Sequence, residues 1–307
     1  MTGNDTGADS GTQYCGMVAI LGAPNAGKST MVNWLVGQKV AITSPKAQTT
    51  RTRLMGIAIA DSAQMILVDT PGIFDPSRRF DRAMVSAAWE GAEGADITAL
   101  VVDARAKPNA RVDSIVERLA DYKGRKILLL NKVDQAAKDK LLQLAQKLGE
   151  AGGFEEIFFV SALTGDGMAE LKQWLARAMS AGPWHFPEDQ VSDASERLLA
   201  AEITREQIFR QLHAELPYAS MVVPEKYLHR KDGSLEIHQQ ILVARETQRA
   251  IMLGKGGARI KDIGEKARKE LADLLGQKVH LFLHVKVQEK WDEDREWYDT
   301  IGLDWVK

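Results

Sequence analysis

Between Met17 and Met179, short apolar runs end in polar or glycine-bearing breaks and alternate with stretches of helical spacing. That rhythm predicts buried strands with helices between them, the pattern of a mostly parallel sheet covered on both faces. The runs Met17 to Leu21, Gln64 to Val68, Lys126 to Leu130 and Ile157 to Val160 each read as such a strand. Met168 to Met179 reads as a helix, and the alternation stops at the Gly/Pro-broken segment Ala181 to Asp189. Beyond it, Ser195 to Glu215 has the spacing of an amphipathic helix, with Leu198, Leu199, Ile203, Ile208, Phe209 and Leu212 as its apolar face. Pro217 to Val223 and Leu235 to Val243 flank Lys231-Asp232-Gly233-Ser234, a hairpin signature. A short helix from Thr247, a glycine-rich turn, a helix to Leu275 and a strand from Val279 to Val287 follow. The expected organisation is a polar tail (1–14), an α/β domain (15–181), a linker (182–195) pinned by Trp184 and Phe186, and an α+β domain (196–307).

What stands at the strand ends gives the chemistry, because open α/β sheets put their ligand loops there. After the first run comes Gly22-Ala23-Pro24-Asn25-Ala26-Gly27-Lys28-Ser29-Thr30. Glycines let backbone N–H groups from Asn25 to Thr30 curl round phosphates, Lys28 supplies positive charge, and the Ser29 hydroxyl ligates magnesium. The second run delivers Asp69 to the magnesium shell and Gly72, in Asp69-Thr70-Pro71-Gly72, to the γ-phosphate. The third ends in Asn131-Lys132-Val133-Asp134, where the Asp134 carboxylate accepts from the N1–H and exocyclic amine of guanine. Adenine offers neither donor there, so the chain should prefer GTP strongly. Asn131 is expected at the other edge of the base, and the Lys132 methylenes over its ring. In Ser161-Ala162-Leu163 the small Ala162 would bring its N–H to the guanine carbonyl oxygen.

Pro45-Lys46-Ala47-Gln48-Thr49-Thr50-Arg51-Thr52-Arg53 is a polar stretch able to fold over the nucleotide, a first switch. Thr50, with Thr49 as the alternative, is expected to complete the magnesium shell. Lys46, Arg51 and Arg53 are expected on a solvated face. Ile73 stands where many GTPases carry a glutamine that orients water, so intrinsic hydrolysis should be slow.

In the second domain, Gly254-Lys255-Gly256-Gly257 is a basic turn bracketed by glycines between two helices. This is the Gly-x-x-Gly pattern of a KH module, in which small residues let an RNA backbone approach main-chain N–H groups. Arg259 and Lys261 follow directly, and Arg245, Arg249, Lys266, Arg268 and Lys269 cluster nearby. The charged, aromatic end around Trp291 and Trp297 is expected to form a helix packed on the KH core.

Composition changes the picture little. The 307 residues are 45% hydrophobic and 27% charged with a formal net charge of -2, ordinary material for two globular domains. No apolar run is long enough to span a membrane, and the polar start lacks the apolar centre of a signal peptide. The single cysteine, Cys15, excludes an internal disulfide and fits a reducing cytoplasm. His280 and His284 share a strand face and are expected to be solvated.

Together, the Gly22 to Ser29 loop, Lys46-Ala47-Gln48-Thr49-Thr50-Arg51, Asp69 to Gly72, Asn131 to Asp134 and Ser161-Ala162 resemble the Era family of bacterial GTPases. The second domain resembles the type II KH domain that this family carries. The resemblance implies a P-loop GTPase domain followed by a KH domain, slow turnover of GTP to GDP, and Mg2+ held by Ser29, Thr50 and Asp69. It implies a K+ ion at Asn25 in the role of an arginine finger, so that Lys28, Thr50, Gly72 and Asn25 are the catalytic set. It further implies 16S ribosomal RNA near its 3′ end as partner, a role in 30S subunit assembly, a monomer, and peripheral contact with the inner membrane. Two rival functions stay open here: an RNA-binding protein with a structural nucleotide, and a GTPase directed at another RNA or at DNA.

Overall fold

The structure is a computed structural model describing residues 12–46, 48–51, 53–105 and 110–306. Most of the expected tail, and Ala47 and Thr52 of the switch stretch, lie outside the described residues. Tyr14, expected in the tail, opens the first strand instead. The first domain contains β1 (Tyr14–Leu21), α1 (Lys28–Val36), β2 (Leu54–Ala60), β3 (Ala63–Asp69), α2 (Arg79–Glu93) and β4 (Ile97–Asp103). It continues with α3 (Ala110–Ala120), β5 (Arg125–Asn131), α4 (Lys138–Gly152), β6 (Glu156–Val160), α5 (Met168–Ala178) and β7 (Ser180–Ala181). Among the described residues these strands form one sheet in the order β2, β3, β1, β4, β5, β6, with β7 closing antiparallel on β1. Apart from β2 and β7 every pairing is parallel, the expected mostly parallel sheet.

Successive residues of a strand point to opposite faces, and this sheet buries both. Val18, Ile20, Val101 and Leu129 pack under α1 and α5. Their neighbours Ala19, Leu21, Val102 and Leu130 pack under α2, α3 and α4. Continuous apolar runs rather than alternating ones are the consequence, and β1, β3, β4 and β5 end together at one edge.

The linker is pinned by its backbone and by the Trp184 side chain. Gln64 bridges to the main chain of His185 and Phe186, and the Trp184 indole donates to Ser62. Ile57 and Asp193 N–H groups donate to Val191 and Met55, so this segment also covers the open edge of β2.

The second domain is α6 (Glu196–Gln211), β8 (Ser220–His229), β9 (Leu235–Val243), α7 (Glu246–Leu253), α8 (Ala258–Leu275) and β10 (Val279–Val287), the KH order expected from the sequence. β8 and β9 are the antiparallel hairpin, and β10 adds parallel to β9. Helices α6, α7 and α8 cover one face of this sheet through Ile208, Met252, Ile263 and Leu271.

Two expectations need correction. α6 is capped by Ser195 as its sequence allows, but it is not amphipathic toward water: Arg205, Glu206 and Gln207 are buried as well as Ile203, Ile208 and Phe209. Its polar side meets the first domain. The terminal segment, with α9 (Arg295–Thr300), packs between the domains rather than on the KH core alone. Trp291 and Tyr298 meet Phe80 of α2 edge-on, and the Trp291 indole donates to Ala219 at 3.2 Å. Of the paired histidines, His280 is half-buried and His284 is solvated.

Candidate functional site

α1 begins directly at the glycine loop with no side-chain cap on its first turn, which leaves backbone donors for an anion. Gly27 is needed on two counts: its φ is 101°, and a Cβ there would overlap the Asn131 amide. The Lys28 ammonium is buried against the Gly22 and Ala23 carbonyls, at 3.1 Å from each. Burial pushes its pKa down to about 8, with Asp69 pulling the other way.

Asn25 donates from its side chain to the Pro45 carbonyl at 3.0 Å, tying the glycine loop to the switch stretch. That stretch closes over a cleft lined by Asn25, Gly27, Lys28, Ser29, Thr50 and Gly72 among others. Inside it three oxygens converge. Ser29 Oγ lies 2.6 Å from Asp69 Oδ2 and 2.8 Å from Thr50 Oγ1, and Thr50 Oγ1 is 3.5 Å from Asp69 Oδ2. Thr49 also borders the cleft, but its hydroxyl donates to the Lys46 carbonyl at 2.9 Å. Asp69 is fully buried, and its Oδ1 has no hydrogen-bond partner. Burial raises its pKa to about 6 against hydrogen bonds from Ser29 and Thr50 and the charge of Lys28. A buried carboxylate with an unused oxygen beside two hydroxyls is a fit for a hard divalent cation.

Asn131 does not stand free at the base edge. Its amide donates to Ala26 at 2.8 Å and its oxygen accepts from the Ala162 N–H at 3.0 Å, so the Ala162 donor expected for guanine is engaged. The physical reason is burial: a carboxamide at this depth takes protein partners on both ends. Lys132, at φ 69°, reaches the Asn25 carbonyl at 2.6 Å and Asp103 at 2.8 Å. Asp134 stays exposed, its carboxylate held below the usual range by hydrogen bonds from the Ser161 hydroxyl and the Gln135 amide.

In the KH domain, Gly254, Gly256 and Gly257 have φ of 72°, 59° and 78°. The turn therefore requires glycine by conformation, apart from any close approach of a ligand. Gln211, Gly254, Lys255, Ala258, Arg259 and Asp262 line an open cleft there. The Arg259 guanidinium is tied to the Ile251 carbonyl and Lys266 pairs with Asp262.

Arg51 is the residue that sequence reasoning misplaced. Expected on a solvated face, it is 5% exposed, and its guanidinium donates to the Ser220, Pro217 and Tyr218 carbonyls of the KH domain. Burial, reinforced by Arg205, pushes its pKa down to about 9, which leaves it charged at neutral pH. Lys46 is likewise engaged, with the Leu212 carbonyl.

Two family models match the chain: the 50S ribosome-binding GTPase family over residues 17–132 and the KH domain over residues 215–292. GTPase Era of Erythrobacter litoralis is 66% identical over 297 residues, covering 95% of this chain and 98% of that protein. GTPase Era of Afipia carboxidovorans is 54% identical, covering 95% of each. The chain belongs to the Era family of GTPases. A crystal structure of Era in complex with MgGDPNP and nucleotides 1506–1542 of 16S ribosomal RNA matches at a TM-score of 0.89 and 36% identity. It covers 94% of this chain and 99% of that one. An Aquifex aeolicus Era variant bound to GDP·AlF4− matches at the same score and coverage.

As an Era-family GTPase the chain hydrolyses GTP without a glutamine beside Gly72. Ile73 is buried in the core under α2 and α3, with its N–H on the Gly22 carbonyl at 3.0 Å. Its backbone thus braces the phosphate loop while its side chain stays out of the chemistry.

Proposed function

We propose that this chain is a GTP-driven switch that binds 16S ribosomal RNA near its 3′ end and acts in assembly of the small ribosomal subunit. The observation that carries this reading is the match, over 94% of the chain, to an Era structure holding MgGDPNP and that RNA segment. The positive-φ turn from Gly254 to Gly257 supports it independently. The phosphates are assigned to the backbone from Asn25 to Thr30 and to Lys28, and the base to Asp134 with Lys132 over its ring. Ser161 steadies Asp134, while Asn131 and Ala162 keep the base loop against the phosphate loop and leave one Asn131 N–H for the purine.

Ser29, Thr50 and Asp69 are assigned to Mg2+, which when bound neutralises charge on the phosphates. Gly72 is assigned to the γ-phosphate, where only a residue without a side chain fits beside Pro24. The side-chain oxygen of Asn25 is proposed to contribute to a K+ site. Gly254, Lys255, Gly256, Gly257, Arg259 and Lys261 are assigned to the RNA backbone. The chain is proposed to act as a monomer in the cytoplasm, where subunits assemble. No helix among the described residues is long and apolar enough to cross a membrane. Flotation with anionic vesicles checks the peripheral membrane contact that the resemblance implies.

Filter binding tests the RNA assignment. The double variant Lys255→Asp, Gly256→Asp should lose binding to a 16S 3′-end RNA while calorimetry shows GTP binding intact. RNA binding that survives the two carboxylates would move the site.

A further inference from the structure

The loop that carries Thr50 is held from both domains: Asn33 and Asn25 bind it at Val40, Ala41 and Pro45, and the KH domain binds it at several points. Arg51, the next residue, donates from Nη1 to Ser220 at 2.7 Å and from Nη2 to Pro217 and Tyr218 at 3.0 Å each. Pro217 and Tyr218 lie in the bend between α6 and β8, and Ser220 is the first residue of β8. Its guanidinium sits between Phe80 of α2 and Phe209 of α6, 5.7 and 5.8 Å from the ring centroids. Further up the loop, Lys39 pairs with Glu206 and Glu270, the Thr43 N–H faces Glu206, and Lys46 reaches the Leu212 carbonyl. Glu206 is wholly buried.

Such an arrangement constrains geometry. A planar guanidinium that spans three carbonyls has essentially one place to sit, and removing it strands buried acceptors. Neighbouring Cα atoms are a fixed distance apart, about 3.8 Å, so fixing Arg51 restricts where the Thr50 hydroxyl can lie. That hydroxyl is 2.8 Å from Ser29 Oγ in the cation cluster.

We propose that Arg51 is a positioning residue for GTP hydrolysis, through which the KH domain holds Thr50 in the phosphate cleft. The inference rests on the assignment of Thr50 to the cation site. Arg51 turns its guanidinium onto the KH-domain carbonyls and acts through its neighbour. GDP contacts come from the glycine loop and Asp134, so the residue should matter for turnover and not for GDP affinity.

The test is steady-state hydrolysis and GDP calorimetry on the full chain: wild type, Arg51→Ala, Arg51→Lys, Phe209→Leu and the Arg51→Ala, Phe209→Leu double variant. Arg51→Ala should lower kcat roughly tenfold with GDP affinity kept within about twofold. Arg51→Lys should fall between, because a point charge cannot span three carbonyls. The double variant should lose no more kcat than Arg51→Ala alone, since the ring acts by holding the guanidinium. A residue serving only to glue the domains would lower the melting temperature and leave kcat of the folded protein at the wild-type value. That result, or GDP affinity falling in step with kcat, overturns the proposal. If Arg51→Ala fails to fold, Arg51→Lys decides by the same two readouts. A wild-type chain that bound and turned over GTP without dependence on Mg2+ would instead remove the cation assignment beneath it.

Discussion

The proposed base site rests on Asp134. An exposed carboxylate there can accept from the two donors that guanine presents and adenine lacks. Asp134→Asn puts an amide in its place, and the new N–H groups face those donors. GTP affinity should fall by roughly a hundredfold or more, and xanthosine triphosphate, which carries a carbonyl in place of the amine, should gain. Titration calorimetry with both nucleotides checks this, and unchanged GTP affinity would move the base site. Asn25 makes a second test, since a cation held there would meet the charge on the departing phosphate as an arginine finger does. Hydrolysis should be faster in K+ than in Na+, and Asn25→Ala should abolish the difference. Residues of this kind are proposed from the sequence because phosphate and base chemistry demand fixed types at fixed spacing. The partners of Asn131, the Ala26 carbonyl and the Ala162 N–H, were not legible, because its depth depends on how β5 meets the glycine loop.

At the scale of elements, the strand ends of β1, β3 and β5 deliver their loops to one edge, and local pattern alone predicts that. The burial of Arg51 and of the polar side of α6 was not legible, because nothing in a local stretch of charge tells which distant surface it will meet. Trp291 is the same case: it reads as part of a charged tail, yet it lies between α2 and the β8 region with Phe80 across from it. Trp291→Ala should cost roughly 3–5 kcal/mol, read from urea unfolding. At the end of β4, burial alone would raise Asp103, but Arg105 and Lys132 hold it down at about 2. A depressed carboxylate contributes stability above its ordinary value of 3.8 that is lost as pH falls through the folded value. Thermal melts should therefore show a loss of stability between about pH 4 and pH 2 that Asp103→Asn makes shallower.

For the whole molecule, the two sites are joined by the same helix. The end of α6 accepts from Lys46 through Leu212, and one residue earlier Gln211 lines the cleft at the glycine turn. A nucleotide can shift RNA affinity only if the two nucleotide states differ at this contact, and the shift must then be reciprocal. Loosening the switch loop from the neighbouring β8 bend by Arg51→Ala should bring the RNA affinities of the two states together. The decisive measurement is filter binding of a 16S 3′-end RNA to the wild-type chain loaded with GDP or with a nonhydrolysable GTP analogue at one salt concentration. The affinities should differ by roughly fivefold or more, the lower range of a coupled pair of sites. Equal affinities would mean that the cleft over the phosphates and the glycine turn work independently, and that the chain is not a switch.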